Sequence, residues 1–177
     1  ENGKALTLLT EGKKLLPEDT RMEFFHALCL QENKLLDEAL ISFERIANGK
    51  SAYAGSAALQ MAIIFMEKGV LDRATAMARQ AGESGLNTAR QATIQGRIFA
   101  LQNDVGQAEQ AYRRAISMMA DYPAARLELG LLLINRGSID AGLQELEYYL
   151  ELAKKDPQGM RANEIEVLVA QIRQTRQ

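Results

Sequence analysis

The sequence predicts an all-α chain built as a stack of antiparallel helix pairs. Three observations predict it. The first is a fixed spacing. Gly96, Val105, Ala108, Tyr112 and Ala115 recur as Gly130, Ile139, Gly142, Leu146 and Tyr149, each 34 residues on. A period of this size marks an array of helical hairpins. The second is what recurs. Small residues return at fixed points (Ala62 before Gly96; Ala5, Ala39 and Ala74 before Ala108), and large apolar residues return one turn away. Small residues let two helix backbones cross closely, and large ones fill the space beside the crossing. The third is composition: alanine and aliphatic residues dominate, with three prolines and no tryptophan, which suits helices. One such hairpin has apolar residues on too many sides to bury alone, so neighbours must stack on it.

In chain order, the first helix runs from about Gly3 to Leu16 and stops at Pro17, because proline cannot continue the hydrogen-bond ladder. By the period it is a second helix of a pair without its first. Its apolar side is left to a removed segment, a second copy of the protein or solvent at some cost, and the first is the expectation. The chain opens at Glu1, inside a repeat, so we expect it to be a processed form or a piece of something longer.

The next helix starts near Asp19-Thr20, which can cap it, and carries Phe24, Phe25, Ala27, Leu28 and Leu30. Asn33-Lys34 turns into a helix holding Leu36, Ala39, Leu40, Phe43 and Ile46. The second hairpin begins near Ser51 as cap, turns at Gly69 and returns through Leu71 to Ala81, with Gly82 and Gly85 ending it. The third is capped by Asn87 or Thr88, runs to about Leu101, turns at Asn103-Asp104 and returns with Val105, Ala108, Tyr112 and Ala115. The fourth is capped by Asp121, has Pro123 in its first turn, where proline is tolerated, and turns at Gly137 with Ser138 as cap. It ends near Lys154-Lys155, whose charge suits a helix C-terminus. After Asp156-Pro157 a lone helix, about Met160 to Thr175, carries Ile165, Leu168, Val169 and Ile172 in one stripe. That is the pattern of a cap closing an array; a coiled-coil or partner-binding helix is the rival reading. The divisions are thus 1–17, a partial repeat; 18–50, 51–86, 87–120 and 121–156, four hairpins; and 157–177, the cap. All are expected to form one domain.

These residues resemble the tetratricopeptide repeat (TPR). Its small residue in mid-helix A corresponds to Ala27, Ala62, Gly96 and Gly130. Its large residue three positions on corresponds to Leu30, Phe65, Phe99 and Leu133, and its apolar residue opening helix B to Leu36, Leu71, Val105 and Ile139. The closing proline fits only at Pro17, with Pro123 and Pro157 three residues late. The early tryptophan is replaced by Glu23, Ala58, Ala92 and Arg126. The resemblance implies a right-handed superhelical solenoid whose A helices line a concave side. A subclass of the family grips acidic chaperone tails with Lys, Asn and Arg on those helices. Phe24, Leu28, Leu59, Ile63 and Leu127 occupy the places here, so such chaperones are not expected as partners.

Several functions find no support. A net charge of −2 and dispersed basic residues give no field for nucleic acid or an anionic membrane. The apolar stretches fall far short of the roughly 20 residues that span a bilayer. One cysteine makes no internal disulfide, so the compartment stays open between cytoplasm and periplasm. His26 and Cys29 share a helix face, but a zinc site needs about four organised ligands and a cysteine nucleophile needs a base and an orienting group. They read as a packed pair. No phosphate-binding loop occurs, and no cofactor, metal or enzymatic role is expected.

Helical periodicity selects a groove: Phe24, Leu28 and Gln31; Leu59, Ile63 and Met66; Arg90, Thr93 and Arg97; Leu127, Leu131 and Ile134. Most are apolar, and an exposed apolar patch marks a binding surface. Arg90 and Arg97, seven apart, stand nearly in line to receive an acidic group. The expectation is a protein-interaction scaffold holding a peptide or partner helix. The competing readings are that the terminal helix or the superhelical curvature covers these residues, or that the chain is a structural, self-assembling segment of a longer repeat protein whose apolar surface makes homo-oligomer contacts.

Overall fold

The computed structural model describes residues 2–155 and 161–175, which form ten helices and, among the described residues, no strand. They are α1 (Asn2–Leu15), α2 (Thr20–Glu32), α3 (Leu36–Ala47), α4 (Ala54–Glu67), α5 (Leu71–Glu83), α6 (Ala89–Leu101), α7 (Val105–Met118), α8 (Pro123–Asn135), α9 (Ile139–Lys155) and α10 (Ala162–Gln174). The expected break at Asp156-Pro157 and the start of the last helix at Met160 lie outside the described residues. Two compact units divide the chain at Asn87–Thr88. The first holds α1–α5 and the second α6–α10.

The period is most visible in the backbone of the turns. Lys34, Gly69, Asn103 and Gly137 all have positive φ, between 62° and 86°. Each sits at the junction of an A helix (α2, α4, α6, α8) with its B helix. The amides of the next residues, Leu35, Val70, Asp104 and Ser138, donate back to the carbonyls of Leu30, Phe65, Phe99 and Leu133 at 2.8–2.9 Å. The same C-terminal capping motif therefore closes every A helix. The carbonyls it uses belong to the recurring large apolar residues, so one position sets both the turn and the packing. Glycine meets the left-handed conformation freely and asparagine tolerates it; Lys34 adopts it in the same turn.

Caps divide into those the sequence reveals and those it does not. Asp19, Thr88 and Asp104 accept from the amides of Met22, Gln91 and Gln107 at 3.0–3.1 Å. Ser51 does not cap α4. Its hydroxyl accepts from the Tyr53 amide at 3.3 Å in the preceding turn, and α4 starts at Ala54 without a side-chain cap. Nor does Asp121 cap α8; its carboxylate takes the Tyr148 hydroxyl at 2.6 Å, and Pro123 opens the helix. Gly82 does not end α5, which continues to Glu83 before Gly85 turns the chain.

In the first unit α4 is the centre. Ala57, Ala58, Ala62 and Ile64 are wholly inaccessible, because α3 packs on one side of the helix and α5 on another. Phe24 joins Phe43 and Tyr53 in an aromatic cluster, with ring centroids 5.8 and 5.2 Å away. α1 packs on α2 but leaves Leu8 and Leu15 largely exposed.

In the second unit the small residues do what close crossings require. A Cβ at Gly96 would lie 2.5 Å from the Tyr112 ring, and one at Gly142 would lie 2.8 Å from the Gly130 carbonyl oxygen. The Tyr112 ring and the α8 backbone fill these spaces. α10 closes the unit as a capping helix: Ile165 and Val169 are buried with Leu143, Leu146 and Tyr149 of α9, and Leu168 and Ile172 pack beside them.

Candidate partner-binding surface

The A helices carry every residue of the expected groove, and burial sorts those residues into two groups. In the first unit Phe24, Leu59 and Met66 are buried. Phe24 is held in the aromatic cluster, so it faces the core. Leu28, Gln31 and Ile63 stay partly accessible. Gln31 is the informative one. Its side-chain oxygen is buried and has no hydrogen-bond partner among the described residues. A buried acceptor left unpaired costs about 1–3 kcal/mol, and a donor from outside the chain would relieve it. Leu28 and Gln31, three apart on α2, share a face.

In the second unit Thr93 is buried, and its hydroxyl donates to the Ala89 carbonyl at 2.8 Å. It belongs to the helix interior rather than to a surface. Leu127, Leu131 and Ile134 are partly buried against the cluster that α9 and α10 build. They therefore offer less open area than their apolar character suggests.

Arg90 is exposed, without an ion pair among the described residues. Arg97 is engaged: its Nε lies 3.3 Å from the Glu128 carboxylate. Glu128 was not singled out from the sequence. The signal was present, since it is the one acid in the apolar run Leu127–Leu133 and stands one turn short of a full period after Arg97. That spacing sets it beside Arg97 on the next A helix. Burial raises the Glu128 pKa above its ordinary 4.5, and Arg97 and then Arg161 oppose the rise. Such a group binds its proton more tightly folded than unfolded. Stability therefore falls as pH rises from the ordinary carboxylate range through the raised folded value. Arg97→Ala removes the main opposing charge. It is expected to raise the Glu128 pKa further and extend that window upward, as read by NMR titration of the carboxyl carbon. An unchanged titration would show that the pair is too solvated to couple.

His26 is engaged with α1. Thr10 donates its hydroxyl to the Leu6 carbonyl at 2.7 Å and lies 3.2 Å from His26 Nε2, which leaves that nitrogen as donor. Burial first, and Lys13 second, lower the His26 pKa, so the ring is neutral packing between α1 and α2. Among the described residues no group of three or more His, Cys, Asp or Glu could hold a metal ion, and no helix is long and apolar enough to cross a membrane.

Neither a protein-family model nor any curated protein matches the sequence. Solved structures do match in shape. TTC0263, a thermophilic TPR protein of Thermus thermophilus, aligns over 96% of this chain and 89% of its own, at 22% identity and a TM-score of 0.73. YrrB, a TPR protein with an unusual peptide-binding site, aligns over 96% and 85%, at 18% identity and a TM-score of 0.66. MamA from Desulfovibrio magneticus RS-1 aligns over 88% and 87%, at 12% identity and a TM-score of 0.70. With the 34-residue period and the repeated turn already established, these likenesses give the chain's fold as that of the tetratricopeptide-repeat solenoids.

Proposed function

We propose that the chain is a protein-interaction scaffold, and that the accessible residues of its A helices receive a peptide or partner helix. The observation carrying this reading is the buried, unpaired Gln31 oxygen, which shares a face of α2 with the half-open Leu28, while Ile63 of α4 is also partly accessible. A peptide supplies both missing elements: an amide donor for Gln31 and apolar side chains for the leucine and isoleucine. On the second unit, Arg90 supplies an unmatched positive charge for an acidic residue of a partner. The likeness in fold to YrrB, with its peptide-binding site, is consistent with this use.

The test is selection of peptides from a random library displayed on phage, followed by affinity measurement on variants. Ile63→Asp and Gln31→Leu are expected to weaken selected peptides by about tenfold or more, the scale of a centrally placed contact. Ile41→Glu, on a B helix, is expected to leave them unchanged. Peptides indifferent to Ile63→Asp and Gln31→Leu, in variants that melt like the wild type, would remove the assignment.

A further inference from the structure

Between α3 and α5, the B helices of the first unit, runs a trough of about 300 Å³. Met61 and Phe65 of α4 form its floor, and Leu40, Ile41, Ala76 and Met77 line its walls. The period gives each of these positions a counterpart in the second unit, in the same way that Ala39, Ala62 and Ala74 return as Ala108, Gly130 and Gly142. The floor stays apolar, as Leu129 and Leu133. The walls do not: Leu40, Ile41, Ala76 and Met77 become Glu109, Gln110, Gln144 and Glu145. There Glu109 pairs with Arg113 and Arg136, and Glu145 with Arg126 at 2.6 Å. Ile116, in the place of Ala47, packs on the floor. The fold therefore accepts ion-paired, polar walls at these positions, and the first unit carries apolar ones, with Ile41 70% exposed. An exposed apolar patch that the architecture does not demand marks a contact surface.

Shape and charge describe what fits there. Gln80 donates to the Ala47 carbonyl at 3.2 Å, which sets the two walls in register at one end. Both walls are B helices and run in the same direction. Arg73 lies seven residues before Gln80, and Glu44 lies three before Ala47 on the facing wall. The two charges are thus about 6 Å apart along the trough. The Arg73 guanidinium lies over the Phe65 ring at 4.9 Å, and among the described residues neither charge has an ion-pair partner. A groove of about two turns between two helices suits a third helix. Side chains one turn apart on that helix are about 5–6 Å apart, which matches the spacing of Arg73 and Glu44. The methionines adapt readily to side chains that enter.

We propose that the α3/α5 trough is a separate docking site for an amphipathic helix of a partner protein. The helix lays its apolar stripe on Met61, Phe65 and Met77, and an acidic and a basic residue one turn apart meet Arg73 and Glu44. Opposite signs on the two walls favour a partner that carries both charges over one that is uniformly acidic or basic. The site shares no residue with the proposed peptide contacts at Leu28, Gln31 and Ile63, and it does not rest on them.

The probe is a phage-displayed library of helical peptides about 15 residues long, where a helix begins to hold in water. Every member keeps a leucine stripe with one glutamate and one lysine a turn apart, and the other positions vary. Recovered peptides are expected to lose about tenfold or more in affinity with Ile41→Gln and with Met77→Glu. Both substitutions install the residue that the second unit carries at that place. Ile41 is exposed, so its variant should keep the wild-type melt, and circular dichroism checks the Met77 variant. Arg73→Glu should weaken the peptides likewise, and changing the peptide's glutamate to lysine should restore them, a rescue that a merely structural role would not give. Peptides indifferent to Ile41→Gln and Met77→Glu overturn the proposal, and so does a failed rescue. Sedimentation in which the wild-type chain self-associates and Ile41→Gln prevents it also overturns it, because the occupant is then a second copy. Peptides that respond instead to Gln31→Leu and Ile63→Asp overturn this site and leave the A-helix reading standing.

Discussion

Tyr112→Ala is expected to destabilise the second unit by about 3–5 kcal/mol, the cost of deleting a large, fully enclosed aromatic side chain. The ring is 1% exposed and lies among Ala108, Leu129 and Leu133, with Phe99 and Ile116 beside it. Three helices, α6, α7 and α8, therefore lose a common contact at once. Ring and glycine are matched: the Tyr112 ring occupies the space where Gly96 would carry a Cβ. Gly96→Ala alone should be destabilising, although alanine favours a helix interior by about 1 kcal/mol over glycine. In the Tyr112→Ala background the obstacle is gone, and Gly96→Ala should become neutral or stabilising. Denaturant midpoints at constant slope measure all four members of the cycle. Additive costs would mean that the ring and the glycine do not constrain each other.

Gly142→Leu is expected to cost about 3 kcal/mol, at the upper end for overpacking. The reason is what the new side chain meets. At Gly96 the obstacle is a side chain that can tilt. At Gly142 the nearest atoms include the Gly130 carbonyl oxygen at 2.8 Å and the Ile134 amide nitrogen at 3.0 Å. Both belong to the α8 backbone, so α8 and α9 must move apart as bodies. α9 also carries the cluster on which α10 is seated, and the displacement should reach the cap. Hydrogen exchange is expected to show faster opening of α10 as well as of α8. A variant with wild-type stability and wild-type exchange in α10 would mean that the crossing is looser than its distances indicate.

The small-residue positions Gly96/Gly130 and Ala108/Gly142 illustrate what could be read from sequence. Their recurrence at 34 residues located the crossings, and the turn residues Gly69, Asn103 and Gly137 located the hairpin ends. These are local properties: a backbone conformation or a close approach demands a particular residue type at a particular spacing. Caps were legible where an acidic or hydroxyl residue directly precedes the helix, as at Asp19, Thr88 and Asp104. They misled at Asp121, where a hydroxyl from a distant helix, that of Tyr148, competes for the same carboxylate.

The candidate surface was legible in outline only. Periodicity says which residues share a helix face, and it selected Leu28, Gln31 and Ile63 together with Phe24, Leu59 and Met66. It cannot say how far neighbouring helices wrap around that face. Phe24 is claimed by an aromatic cluster drawn from α3 and from the turn before α4, and Leu127, Leu131 and Ile134 are partly buried against the cluster that α9 and α10 build. Arg97 finds Glu128, a partner on another helix.

What the sequence by itself determined is the architecture: helix pairs, their order, their turns and their crossings, because each follows from a repeating demand on one residue or its near neighbours. What only the tertiary structure decided is accessibility and charge pairing. These include which apolar side chains remain open, which buried polar atoms, such as Gln31 Oε1 and His26 Nδ1, are left without a partner among the described residues, and that a trough lies between two B helices. Burial belongs to the set of helices around a residue rather than to its own, and no periodicity along one helix encodes it.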